Sequence, residues 1–119
     1  MKKFVRGAIA VACALMLGAC ASMITGGPLI RPGEPTGTIR VSNASRYMVD
    51  VVLIFACSAS TYGLNRLPSD TAIPPGRSYD FTVSAGCWDV GAGSMSGGGQ
   101  EAYQRMQIQA GGGVNYTVQ

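Results

Sequence analysis

The sequence predicts an all-β protein, a small β-sandwich of about six to seven short strands that follows a cleaved signal peptide and a flexible tether. Three observations lead to this fold class: short runs of alternating apolar and polar residues, turn-forming residues at intervals of about 8 to 12 positions, and no firm helical period after residue 37. In a sandwich, two sheets bury their apolar faces against each other. We therefore expect one domain at residues 38–119.

The first 19 residues have the organisation of a secretory signal peptide. Lys2, Lys3 and Arg6 form a positive start, and residues 4–18 are almost entirely apolar. This run is shorter than the roughly 20 residues that cross a bilayer as a helix, and it ends in small residues. The pattern favours cleavage, with an uncleaved N-terminal anchor as the alternative.

The end of the leader, Leu17-Gly18-Ala19-Cys20, resembles the lipobox of bacterial lipoproteins. In that family the cysteine thiol receives a diacylglyceryl group, signal peptidase II cleaves before the cysteine, and the new amine is acylated. The resemblance implies that Cys20 is a lipid anchor and that residues 1–19 are removed. Ala21 stands where an aspartate retains a lipoprotein in the inner membrane, which implies the outer membrane with the domain facing the periplasm. An ordinary secretory peptide cleaved near Ala19 or Ala21 is the alternative.

The segment after the lipobox is predicted as a tether. Residues 21–37 are rich in proline and glycine, and their few apolar residues show no sustained period. Proline and glycine at this density oppose regular structure. We therefore assign residues 20–37 to the lipidated cysteine and its tether.

Removal of the leader changes the charge of the chain. The formal net charge of +3 comes from the three basic residues of the leader. The rest contains six arginines and six acidic residues, so the mature protein is neutral and has no lysine. A neutral chain gives no electrostatic reason to expect a nucleic-acid partner.

The four cysteines have different predicted fates. Cys13 lies in the leader and Cys20 carries the lipid, which leaves Cys57 and Cys87 in a compartment where disulfides persist. We expect these two to form a disulfide within or between sheets. The chain has no C-x-x-C motif and no histidine, so neither a redox pair nor a structural zinc site is expected.

The first half of the domain contains one dominant strand signal. Residues 47–57 are apolar on both faces, so we expect a central strand that is covered on both sides. Residues 62–67 are predicted as either a short edge strand or an irregular loop. The predicted elements are, in order, a strand at 38–41, a turn at 42–45, the strand at 47–57 and a looser segment at 58–69.

The second half alternates strands with strong turn signals. The predicted elements are a turn at 73–76, a half-buried strand at 78–84 with one wet face, a strand from Cys87, a glycine-rich loop at 91–99, a strand at 104–110, a turn at 111–113 and a last strand at 114–118. Residues 101–109 are open to a helical alternative, because Gln, Glu, Arg and Met are good helix formers.

About half of the mature chain also resembles a recurrent kind of small secreted bacterial β-sandwich. The matching residues are Asn43-Ala44-Ser45, the segment Tyr62–Leu67, Pro75-Gly76, Phe81 and Gly86-Cys87-Trp88-Asp89. The resemblance implies the fold and no activity.

The composition removes the common forms of catalysis. Without histidine, Ser-His and Cys-His pairs are excluded, and without a lysine after the leader a Ser-Lys dyad is excluded. A hydrolase would need paired carboxylates, and the acidic residues are scattered singly. We therefore expect a non-enzymatic protein with no cofactor and no metal.

Four residues are candidates for contact with a partner. Trp88 is predicted either to lie in the core or to form a surface with Tyr62, Tyr103 and Asp89 for a sugar face or another protein. The function that we expect is a lipid-anchored structural or interaction component that contacts an envelope protein or assembly. A small glycan- or peptidoglycan-binding module is the alternative.

Overall fold

The protein is all-β, as the sequence predicts. A computed structural model describes residues 27–60, 63–95, 99–100 and 103–119. Within these ranges there is no helix, and therefore none with the length and hydrophobicity needed to span a bilayer. The strands are β1 (Thr36–Asn43), β2 (Val51–Ala56), β3 (Ser78–Ser84), β4 (Gly86–Ser94), β5 (Gly99–Gln100), β6 (Gln104–Ile108) and β7 (Gly113–Val118).

The strands form two small sheets. Sheet 1 has the order β3-β1-β7, in which β1 is antiparallel to β3 and parallel to β7. In sheet 2, β4 is central: β2 pairs with one side of it, and β5 and β6 pair with the other. The single residue Ala85 separates β3 of sheet 1 from β4 of sheet 2. These two layers make the small β-sandwich.

The core lies between the sheets and follows the alternation of the strands. Alternate residues of each strand point to the same side, which produces one apolar face per sheet. The inward residues of the two sheets form one cluster. Its main members are Ile39, Val41, Phe81, Val83 and Tyr116 from sheet 1, and Val52, Ile54, Trp88, Val90, Met106 and Ile108 from sheet 2.

The expectation of a central strand at residues 47–57 is wrong. β2 is an edge strand, and Val49 instead forms an isolated bridge with Ile73. On the side of β2 that faces away from β4, the loop that contains Asn65 and Arg66 takes the place of a second strand. Asn65 accepts a hydrogen bond from Val52 N–H at 2.9 Å and donates to Asp50 O at 2.9 Å, and Arg66 N–H donates to Val52 O at 2.7 Å. The backbone of β2 therefore forms hydrogen bonds on both sides, to β4 on one side and to this loop on the other.

The predicted glycine loop at residues 91–99 is also shorter than expected. Gly91–Ser94 continue β4 as buried residues, and Gly99 begins β5. A Cβ at Gly91 would lie 2.5 Å from the ring of Tyr103, so the missing side chain makes room for an aromatic ring. Glycine usually indicates a loop, but at this position it lies in a strand and allows an aromatic ring to pack against the backbone.

The remaining predictions of the second half are largely confirmed. Residues 104–108 are a strand and not part of a helix, because Met106 and Ile108 both face the core. The turn at 73–76 forms with Gly76 at φ +79°, and Arg77 N–H donates to Pro74 O at 3.0 Å. Ser84, expected on a wet face, is fully buried at the bend between the sheets.

The described part of the predicted tether is held by the domain. β1 begins at Thr36, and Ser84 N–H donates to Leu29 O at 2.7 Å. Arg66 donates from its guanidinium to Gly27 O at 2.6 Å. Burial of the Arg66 guanidinium lowers its pKa from the ordinary value. From residue 27 onward, the chain therefore follows the surface of the sandwich.

The predicted disulfide is present. Cys57 and Cys87 are bonded with a Cα–Cα distance of 5.5 Å, and Cys57 N–H also donates to Cys87 O. The bridge joins β4 to the residue that follows β2, so it lies within sheet 2. It closes a loop of 30 residues.

Replacement of both cysteines with alanine should lower the free energy of unfolding by about 3 to 4 kcal/mol, since the unfolded chain regains the freedom of the closed loop. Chemical denaturation of the processed protein measures this loss. Reduction of the wild-type disulfide should give the same loss, and the double variant should not respond to reductant. Equal stability of variant and wild type would contradict the expectation.

Gly37 lies where the start of β1 contacts the turn between β6 and β7. A Cβ at this position would lie 2.5 Å from Ile108 Cγ2, 2.7 Å from Gln109 O and 2.9 Å from Gly112 O. Two of these three atoms belong to the backbone, so the contact cannot be relieved by a side-chain rotation.

Gly37→Ala should therefore destabilise the domain by about 2 kcal/mol or more. Gly91→Ala is the matched control: the three atoms nearest to its Cβ all belong to the ring of Tyr103, a partly exposed side chain that can rotate away, so we expect about 1 kcal/mol or less. Thermal and chemical unfolding measure both. A smaller effect at Gly37 than at Gly91 would contradict this account.

Candidate functional site

Trp88 is a core residue. Its side chain has 0% exposure, and its indole N–H donates to Ser84 O at 2.8 Å. The guanidinium carbon of Arg31 lies 5.6 Å from the ring centroid, which adds a cation–π contact on one side. The surface alternative for Trp88 does not fit this position, because nothing outside the protein can reach the ring.

Asp89 points to the opposite face of β4 from Trp88, as neighbouring strand residues do. Its carboxylate accepts two hydrogen bonds from the guanidinium of Arg105, both at 3.0 Å. This partner raises the pKa of Arg105. Asp89 is therefore engaged in a cross-strand ion pair between β4 and β6.

Tyr103 lies on the outer face of sheet 2, where its ring packs edge-on against Phe55 at a centroid distance of 5.2 Å and covers Gly91. Tyr62, the fourth candidate, lies outside the described residues, as does Cys20. The structure thus brings Asp89 and Tyr103 to one face and places Trp88 in the core. Among the described candidates, Trp88 therefore shares no surface with Asp89 and Tyr103.

The outer face of sheet 1 offers a different candidate. It contains a shallow, open depression of about 450 Å³. The strand register puts short polar side chains in rows across the three strands, and the backbone of the β6–β7 turn closes one end. The lining residues are Thr38, Arg40, Asp80, Gly112, Gly113, Val114 and Asn115.

An ion pair dominates the electrostatics of this depression. Arg40 donates to both oxygens of Asp80, at 2.8 and 3.0 Å, and the two residues are directly opposed on β1 and β3. The hydrogen bond and the charge of Arg40 hold the pKa of Asp80 below its ordinary value. The pKa of Arg40 is raised by the same contact. Both side chains remain substantially exposed to solvent.

The depression can form hydrogen bonds with a polar partner. Next to the ion pair, Asn115 accepts from the Ser42 hydroxyl at 2.7 Å and donates to Thr117 Oγ1 at 2.7 Å. Sequence reasoning missed this face, since it needs the parallel pairing of β1 with β7. The only local signal is the alternation of Thr38, Arg40 and Ser42 in β1.

The described part of the chain contains no group of three or more Cys, Asp or Glu side chains that is placed to hold a metal ion. No known family model matches the chain. No curated protein matches it at a significant level.

The Arg40–Asp80 pair predicts a pH effect. Because the pKa of folded Asp80 lies below its unfolded value of about 3.9, the pair stabilises the domain above that pH, and this contribution is lost as the pH falls through the folded pKa. Arg40→Gln should raise the pKa of Asp80 toward the ordinary value, as measured by NMR titration of its carboxyl carbon. Arg105→Gln, which removes the partner of Asp89, should leave the pKa of Asp80 unchanged. An unshifted Asp80 in Arg40→Gln would contradict the assignment.

Proposed function

We propose that the protein is a lipid-anchored, non-enzymatic component of the bacterial cell envelope. In this proposal Cys20 carries the acyl chains, the outer membrane holds them, and the β-sandwich faces the periplasm, where it contacts an envelope protein or assembly. The single observation that carries the proposal is the lipobox resemblance at Leu17-Gly18-Ala19-Cys20, which directly follows an apolar leader. Two or three acyl chains on one residue anchor a domain stably, whereas one chain binds only marginally.

The orientation of the domain supports a contact away from the membrane. Residues 27–31 lie against the bend after β3, at the end of the sandwich where β1 begins. The opposite end carries the loop at 44–48 and the turn at 74–77. Tyr47 and Met48 of that loop are both exposed apolar side chains. A chain anchored through Cys20 would therefore present Tyr47 and Met48 at the end far from its point of attachment.

The site geometry gives less support to the glycan-binding alternative. Sugar recognition commonly uses an exposed aromatic face, and Trp88 has none. Asp89, the proposed acceptor beside it, is already bound to Arg105. The polar depression around Arg40 has no aromatic lining residue.

Cys20→Ser should abolish incorporation of labelled palmitate and leave an uncleaved precursor, because the thiol is the acceptor of the first lipid. Metabolic labelling and the mass of the membrane-fraction protein measure both effects. Cys13→Ser is the matched control, since that cysteine lies inside the apolar leader, and it should be lipidated and cleaved normally. Normal maturation of Cys20→Ser would show an ordinary secreted protein and overturn the anchor.

A photo-crosslinking residue at position 47 tests the interaction component. In intact cells it should give a discrete protein adduct that the same residue at Gly33, an exposed position near the anchored end, does not give. Absence of any adduct across the exposed positions, at full incorporation, would count against a protein partner.

A further inference from the structure

One edge of sheet 1 directs backbone groups away from every neighbouring strand. Thr38 N–H donates to Gly112 O at 3.0 Å, and Ala44 N–H donates to Val118 O at 2.7 Å, in the parallel register of β1 and β7. Because backbone groups alternate in direction along a strand, the even-numbered residues of β7 bond to β1. The N–H and C=O groups of Asn115 and Thr117 therefore point to the other side, where β7 has no paired strand in the described part of the chain.

The edges formed by β2, β3 and β6 carry protection that β7 does not show within the described residues. The edge of β2 is covered by Asn65 and Arg66. β3 carries Asp80 and is bonded near its end by Leu29, and β6 carries Arg105. Proteins commonly block sheet edges with charges, prolines or covering loops, because an open edge is a template for another strand. β7, with the sequence Gly-Val-Asn-Tyr-Thr-Val, contains no charge and no proline.

We propose that β7 pairs with β7 of a second copy of this chain, antiparallel about a two-fold axis at Tyr116. In this register Asn115 of one copy lies opposite Thr117 of the other, and the outward N–H and C=O groups of the two residues bond to each other. The axis repeats the same bonds on its other side, as a closed two-fold interface requires. The two three-stranded sheets then become one continuous sheet.

The side chains favour a second copy as the occupant. On the outer face, Asn115 and Thr117 meet their counterparts as polar pairs, which extends the hydrogen bonds that already run from Ser42 to Thr117. On the inner face Val114, which is only partly buried, lies opposite Val118 of the other copy. No like charges meet along this edge, and from Val114 to Val118 every opposed pair is polar with polar or apolar with apolar.

The strength of the β7–β7 pairing depends on the proposed lipid anchor. The register of the pairing does not depend on it. A single strand pair buries less than the roughly 1,000 Å² of a stable interface, so we expect weak association in solution. Acyl chains on Cys20 would confine copies to one plane and raise their effective concentration without a new contact. Self-pairing in the membrane therefore rests on the proposed function.

Disulfide trapping between two differently tagged full-length copies tests the register. One copy carries Asn115→Cys and the other Thr117→Cys, and they are expressed together and oxidised in the membrane. Directly opposed residues of a hydrogen-bonded pair have Cα atoms about 5.5 Å apart, within the range of a disulfide. We expect a heterotypic dimer several-fold more abundant than in the controls.

Two controls share the chemistry but not the register. Asn115→Cys in both copies places the thiols on a diagonal of about 7 to 8 Å, which is beyond an unstrained bridge. Ser78→Cys in one copy with Thr82→Cys in the other places the thiols at exposed positions of β3, the opposite edge of sheet 1. A trapped yield for the heterotypic β7 pair no higher than that of the β3 pair would overturn the proposal, and so would trapping of a partner of another mass.

Charge reversal gives a test that does not depend on oxidation. Copies with Asn115→Lys and Thr117→Lys should lose co-purification with one another, as should copies with aspartate at both positions. A mixture of the lysine and aspartate variants should regain it, because each introduced lysine then faces an introduced aspartate on the other copy. Failure of the mixture to associate, with both variants folded by circular dichroism, would contradict the pairing.

Palmitate labelling of the same samples separates the two proposals. Trapped dimers without label would leave the edge pairing intact and remove the anchor. Labelled protein without trapped dimers would support the lipid anchor and overturn the edge pairing.

Discussion

The structure depends on the burial of one tryptophan at the junction of its two sheets. Trp88 is fully enclosed, so its indole N–H needs a partner inside the protein, and Ser84 O is that partner. Ser84 is the last residue of β3 and lies two positions before β4. Its hydroxyl accepts from Arg31 N–H at 2.7 Å and its own N–H donates to Leu29 O. Ser84, the residue that bonds the ring, therefore also connects the bend between the sheets to the segment that precedes β1.

A domain of this size has few apolar residues with which to stabilise such a junction. Domains of about 60 residues bury only about 60% of the surface of the unfolded chain. The Cys57–Cys87 bridge stabilises the same region, because Cys87 is the neighbour of Trp88 in β4. At the other end of the sandwich, the amide of Asn43 has a comparable role: it donates to Tyr47 O and Ile73 O and accepts from Ser45 N–H. Both ends of the core are thus closed by hydrogen bonds between a buried side chain and nearby backbone groups.

The sequence predicts the features that depend on local alternation or on a restricted backbone. The half-buried strand β3, the turn at Gly76 and the disulfide follow from patterns within a few residues or from counting cysteines. The errors arise where a distant group replaces the expected one. Asn65 takes the place of a strand beside β2, and the ring of Tyr103 takes the place of a side chain at Gly91. The polar face of sheet 1 depends on the parallel pairing of β1 with β7, residues more than 70 positions apart, which no local pattern encodes.

The edges of the sheets connect this architecture to its proposed place in the envelope. A protein free in solution gains from blocking every edge, because open edges join indiscriminately. The edge of β2 is covered by a loop, in which the Asn65 side-chain amide and the Arg66 guanidinium form hydrogen bonds with the strand backbone. One edge of this protein is therefore protected by its own chain. Within the described ranges no loop covers the edge of β7, so two edges of the same protein differ in their protection. Anchoring at Cys20 would give that difference a use, since copies held in one plane meet at low total concentration and in a restricted set of orientations.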